Sequence, residues 1–167
     1  MYKATLTVLI LSAQTAAADI SVRFVESAPK DRFVIENTGA CALKSAAITL
    51  DMAGSAGGLI FDVTGSGAGV EVFQPFDLVA GAEALTELPL VQDGDSALSL
   101  SVGTLEPGGQ IAFTIDVDDT SEARGIMVSG AEITGAAVRV TEGADTRSAA
   151  FDAGATATVA AGACAST

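Results

Sequence analysis

Short runs in which apolar and polar residues alternate, separated by glycine-rich turns, fill most of this 167-residue chain. Ile20, Val22 and Phe24 alternate with Ser21 and Arg23. Leu98, Leu100 and Val102 alternate with serine and glycine, and Ile111, Phe113, Ile115 and Val117 with Ala112, Thr114 and Asp116. A period of two puts successive side chains on opposite faces, so each run reads as a strand with one buried face and one wet face. Further strands are expected at 32–36, 48–52, 59–63, 70–73, 126–128, 136–141, 149–151 and 156–160. Residues 81–88 are the one stretch expected to form one or two helical turns, ended by Pro89. Short strands at this spacing predict an all-β, Ig-like antiparallel β-sandwich with little helix. Two stretches carry the Ig-like wiring: the run 33–36 into the turn Asn37-Thr38-Gly39, and the tight turn Pro107-Gly108 before the run 111–115. The expected core is Ile20, Val22, Phe24, Phe33, Ile35, Ile48, Leu50, Phe61, Leu98, Leu100, Ile111, Phe113, Ile115, Val138 and Val140.

The first 18 residues follow a different logic. Lys3 precedes the apolar run Leu6-Thr7-Val8-Leu9-Ile10-Leu11, and Ala16-Ala17-Ala18 then stands before Asp19. A charge, a short apolar run and small residues, in that order, make a secretory signal peptide, and the run is too short to span a bilayer. Residues 1–18 are therefore expected to be removed, leaving 19–167 as one exported domain, periplasmic or extracellular, with no membrane insertion. In that segment seven basic residues face 21 acidic ones, a net charge of −14. Such a surface repels nucleic acid and anionic lipid. The chain has two cysteines, Cys41 and Cys164, and an oxidising compartment favours one disulfide between them. Closing so long a loop would stabilise the fold by roughly 3–5 kcal/mol.

Few motifs carry chemistry. Asp116-Val117-Asp118-Asp119-Thr120 matches the DxDxT nucleophile pattern of haloacid dehalogenase-type phosphatases, but that chemistry needs a later lysine, and Lys3, Lys30 and Lys44 all lie upstream. Asp116, Asp118 and Asp119 are instead the candidate ligands for Ca2+, a hard cation that takes six to eight oxygens. Asp116 and Asp118 would share a face if the strand continues. The default reading of these residues is a solvated acidic turn. Asp93-Gly94-Asp95 is a second possible oxygen source that reads more simply as a turn. Ser27-Ala28-Pro29-Lys30 fits SxxK without the supporting motifs of penicillin-recognising enzymes, and Gly65-Ser66-Gly67-Ala68-Gly69 leads into a strand where a phosphate loop must open a helix.

The chain has no histidine and no tryptophan, and its one tyrosine, Tyr2, lies in the expected leader. Ser-His and Cys-His nucleophile pairs and histidine acid–base work are thereby excluded. A paired-carboxylate hydrolase needs neither residue, but without tyrosine or tryptophan it has little with which to grip a sugar. The expectation is a non-enzyme with a protein or cell-surface partner. The alternative is a small periplasmic ligand-binding domain or a carboxylate-based hydrolase, which a convergent set of carboxylates with perturbed pKa would favour.

Three segments carry a family resemblance: 23–33 (RFVESAPKDRF), 59–81 (LIFDVTGSGAGVEVFQPFDLVAG) and 113–120 (FTIDVDDT). Together they resemble bacterial exported proteins labelled "aggregation factor core", a name borrowed from an animal cell-adhesion complex. The resemblance implies a surface or matrix adhesion role and assigns no catalytic or binding residue.

Overall fold

A computed structural model describes residues 19–27, 30–65, 73–120 and 128–160. The expected leader, the expected strand residues 70–72 and 126–127, and Cys164 lie outside these. Ten strands form two five-stranded antiparallel sheets. Sheet one runs, in spatial order, β12 (Thr156–Val159), β1 (Ile20–Val25), β2 (Asp31–Asn37), β8 (Gln110–Ile115) and β5 (Asp77–Ala80). Sheet two runs β11 (Asp145–Ala150), β10 (Ala137–Glu142), β3 (Leu43–Asp51), β7 (Ala97–Leu105) and β6 (Leu85–Glu87). A short pair, β4 (Ile60–Phe61) with β9 (Val117–Asp118), stands apart. Helix is confined, among the described residues, to two single 3-10 turns, Met52–Gly54 and Ala82–Ala84. The second is all that forms of the helix expected at 81–88, because the chain returns to extended form at β6.

The strand order is that of an immunoglobulin-type sandwich with one rerouted segment. β1, β2, β8 and β5 occupy the A, B, E and D positions of one sheet, and β3, β10 and β11 the C, F and G positions of the other. Between the D-like β5 and the E-like β8, the chain crosses to sheet two and lays down β6 and β7 beyond β3. β12 extends sheet one past β1.

The core lies between the sheets and follows the alternation. All fifteen expected core residues are buried, joined by Leu43, Met52, Leu59, Leu105, Ile133, Phe151 and others. In sheet one the register places Phe24 opposite Phe33 and Phe33 opposite Phe113. Their rings meet at 5.2 Å in both contacts, and Phe76 adds a third at 4.9 Å from Phe113. Cross-strand aromatic pairs of this kind stabilise a sheet beyond their buried area.

At one end of the sandwich, the β2–β3 and β7–β8 connections are locked by Asn37, which is fully buried. Its Nδ2 donates to the carbonyls of Cys41 (2.7 Å) and Leu105 (2.9 Å), and its Oδ1 accepts from the Gly39 N–H (3.1 Å). The β4–β9 pair closes the opposite end.

Candidate functional site

The capped end gathers carboxylates from four parts of the chain. Asp31 begins β2, Asp62 follows β4, Asp93 lies in the turn before β7, and Asp116 and Asp118 flank and enter β9. Backbone pairing brings them together. Ile60 pairs with Asp118 and Phe61 with Val117. On the other side Phe61 donates to the Asp95 carbonyl (2.8 Å) and accepts from the Gly94 N–H (2.9 Å), while the Asp62 N–H donates to the Asp116 carbonyl (3.1 Å). The segment that carries Asp62 is thus held between residues 116–118 and the 93–95 turn.

Most of these carboxylates are covered. Asp31, Asp62, Asp118 and Asp119 are buried, and Asp93 and Asp116 half-buried. This corrects the solvated acidic turn entertained above. It also corrects the assumption of a continuing strand: β8 ends at Ile115, Asp116 belongs to no strand, and β9 starts at Val117 in a different sheet. The apolar run 111–117 divides because Ile115 still belongs to the sheet-one core while Val117 must pack under the cap. Asp118 uses Oδ1 to accept from the Asp119 N–H (2.9 Å). The turn reading of 93–95 holds: the Asp95 N–H donates to the Gln92 carbonyl and Asp95 Oδ2 accepts from the Gln92 N–H.

Each acid has a different share of partners. Asp31 Oδ1 accepts from the Ser27 N–H at 3.2 Å. Asp93 Oδ1 accepts from both the Val63 and Thr64 N–H groups, at 2.9 and 3.0 Å. Asp62 is only 1% exposed, and neither of its carboxylate oxygens has a hydrogen-bond partner. The nearby Thr64 N–H is committed to Asp93, so it eases the burial of Asp62 without satisfying it. Two ionised carboxylates cannot donate to each other, and only a shared proton would turn the Asp62–Asp93 contact into a hydrogen bond.

Burial and mutual repulsion raise the affinity of this end for protons. Burial first, and then the field of Asp116 and Glu26 against hydrogen bonds from Ser27 and Val117, pushes Asp31 up to about 7. Burial, then Asp62 and Asp118, pushes Asp116 up to about 7. Asp62 rises to about 6 through burial, then Asp93 and Asp118. Among the described residues, every charge that acts on these three is another carboxylate. Of the described basic side chains, Lys30 pairs with Asp77 (3.0 Å), Arg139 with Asp51 (2.7 Å), and Arg147 with Glu142 and Asp145.

The three residues singled out as Ca2+ ligands are neighbours at this end, but as the side chains stand no three acidic groups among the described residues enclose a point where a metal ion could sit. Sequence reasoning missed Asp62 and Asp31. The signal for Asp62 was a lone carboxylate inside the apolar run Leu59-Ile60-Phe61-Asp62-Val63, where a strand core has no place for a charge.

Beside the cap lies a groove of about 480 Å³ lined by Val63, Thr64, Pro75, Phe76, Leu88, Pro89, Leu90 and Val91. Its rim is apolar and wet: Leu88 is 59% and Leu90 98% exposed. None of the carboxylates lines it. Cys41 is half-buried in the β2–β3 connection, and its partner expected from the sequence lies outside the described residues. No helix among the described residues is long and apolar enough to cross a membrane.

The fold and this end together define an all-β, Ig-like sandwich with a buried acidic cap. No family model, curated protein or solved structure matches the chain.

Proposed function

We propose that this chain is an exported, non-enzymatic interaction module that engages a protein or cell-surface partner in adhesion. The observation that carries the reading is the apolar rim at 88–91. A leucine almost wholly in water, beside a second exposed leucine, two prolines and a groove, costs solvation that a free domain has no reason to bear. The leader-like 1–18 segment, the acidic surface and the aggregation-factor resemblance support the same reading. The test is binding of the purified protein to intact cells or cell-envelope fragments, compared with the double variant Leu88→Ser/Leu90→Ser. Both side chains lie on the surface, so the melting temperature should be unchanged while binding falls about tenfold, the equivalent of ~1.4 kcal/mol. Equal binding by the two proteins would reject this face as the docking surface.

One observation favours the second reading, a carboxylate-based hydrolase or small-ligand domain: carboxylates from four parts of the chain gather at one end, with raised proton affinity. Glycoside hydrolysis, however, needs two carboxyl groups open to a sugar on either side of the scissile bond. Asp62 is sealed from solvent, and the adjacent groove is lined without any acid. The geometry suits neutralisation of the cluster better than catalysis by it.

A further inference from the structure

We propose that Asp62, with Asp93 and Asp116 around it, is the seat of a divalent, oxygen-preferring cation, and that this cation clamps the β4–β9 cap onto the sandwich. The inference is independent of the docking surface. It rests first on Asp62, whose two oxygens are buried without a hydrogen-bond partner, in a segment whose backbone is bonded to the Asp116 carbonyl and, at the next two residues, to Asp93 Oδ1. An ionised carboxylate in that state is costly to bury, and a cation is the compensation that serves several carboxylates at once. It rests second on the backbone. The Asp62 segment is pinned on both sides, by the Asp116 carbonyl and by the Gly94–Asp95 turn, so the acids are presented from three separate connections that a bridging ion would join. No described basic side chain acts on Asp62 or Asp116, and the donor set is all oxygen.

That donor set selects the class of ion. Carboxylates on irregular loops, with backbone carbonyls near, suit Ca2+, which accepts six to eight oxygens in flexible geometry. Mg2+ demands a near-ideal octahedron at shorter distances. Because no three acids yet enclose a common point, loading must draw Asp93 or Asp116 toward Asp62, and the ion should therefore tighten the cap as it binds.

The experiment uses the secreted protein, stripped with chelator and dialysed at pH 7.5 and constant ionic strength. Melting temperature is followed against Ca2+ and against Mg2+, and heat of binding is measured by titration calorimetry. At a Ca2+ concentration about a hundredfold above Kd, the melting temperature should rise by roughly 5–10 °C, with one ion bound and a much smaller response to Mg2+. Asp62→Asn and Asp93→Asn should each abolish the response, while Asp77→Asn, on the exposed edge of β5, should keep it. Asp119→Asn should keep it as well. If the Asn variants at 62 or 93 fail to fold, calorimetry on the unmodified protein still decides. No saturable Ca2+ heat, an equal response to Mg2+ or monovalent salt, or loss at Asp119 with retention at Asp62 would each overturn the site. A rise in melting temperature in Asp62→Asn with no Ca2+ binding to the parent would assign the neutralisation of Asp62 to a proton.

Discussion

Asp31 is one of three side chains whose raised pKa values make the stability of this protein depend on pH. It is 3% exposed, and its pKa is pushed up to about 7, where an unfolded aspartate titrates near 3.8. Between those values the folded chain holds a proton that the unfolded chain has lost. Stability is therefore fully present below about 4 and drains away as pH rises through 7, with Asp116 and Asp62 acting in the same sense. This is the reverse of the usual salt-bridged aspartate, of which Asp51 against Arg139 is the local example, its pKa lowered. The expected outcome is a melting temperature that falls from pH 5 to pH 8 in metal-free buffer. Asp31→Asn should flatten part of that slope, because the amide oxygen can still accept from the Ser27 N–H while no charge is buried. Equal slopes in the two proteins would place the pH dependence in the general surface charge instead.

Among the elements, those with one wet and one buried face were legible and those on the margins were not. β1, β7 and β8 announce themselves through Ile20/Val22/Phe24, Leu98/Leu100/Val102 and Ile111/Phe113/Ile115, since the sandwich buries one side of each. The edge strands β5 and β6 give no such sign: Asp77, Val79 and Ala80 are exposed and only Leu78 is drawn toward the core, so no period survives. The cap was misread for the same reason. Its strands are two residues long, and its polar residues are buried, against the pattern that sequence reasoning relies on. Leu43 and Leu105 escaped because the alternation shifts phase where Ser45, between the Lys44–Thr104 and Ala46–Val102 pairs, takes a positive φ of 48°. The β5–β6 corner, which carries the chain from one sheet to the other, turns on Gly81. Its φ is +83°, and a Cβ there would stand 2.3 Å from the Gln110 carbonyl oxygen. Gly81→Ala should cost more than about 2 kcal/mol by strain plus displacement of β8. A denaturation midpoint unchanged by the substitution would contradict this account of the corner.

For the molecule as a whole, export and cross-linking are tested together by mass. The protein recovered from outside the cytoplasm should begin at Asp19 and weigh about 2 Da less than its reduced form, for the one disulfide expected between Cys41 and Cys164. Reduction should then lower stability by roughly 3–5 kcal/mol. A full-length cytoplasmic product, or two titratable thiols in the native exported protein, would refute these expectations. The pairing of the outermost strand of sheet one has a mechanical consequence. β1 and β12 run antiparallel with Ile20 opposite Val159, so tension applied through the two ends of the domain pulls along the interstrand hydrogen bonds rather than across them. Those bonds then fail one at a time, as a zipper opens, and not together as in a sheared pair. A domain so wired yields at low force, peeling β12 from β1 first, unless a covalent tie near the ends carries the load.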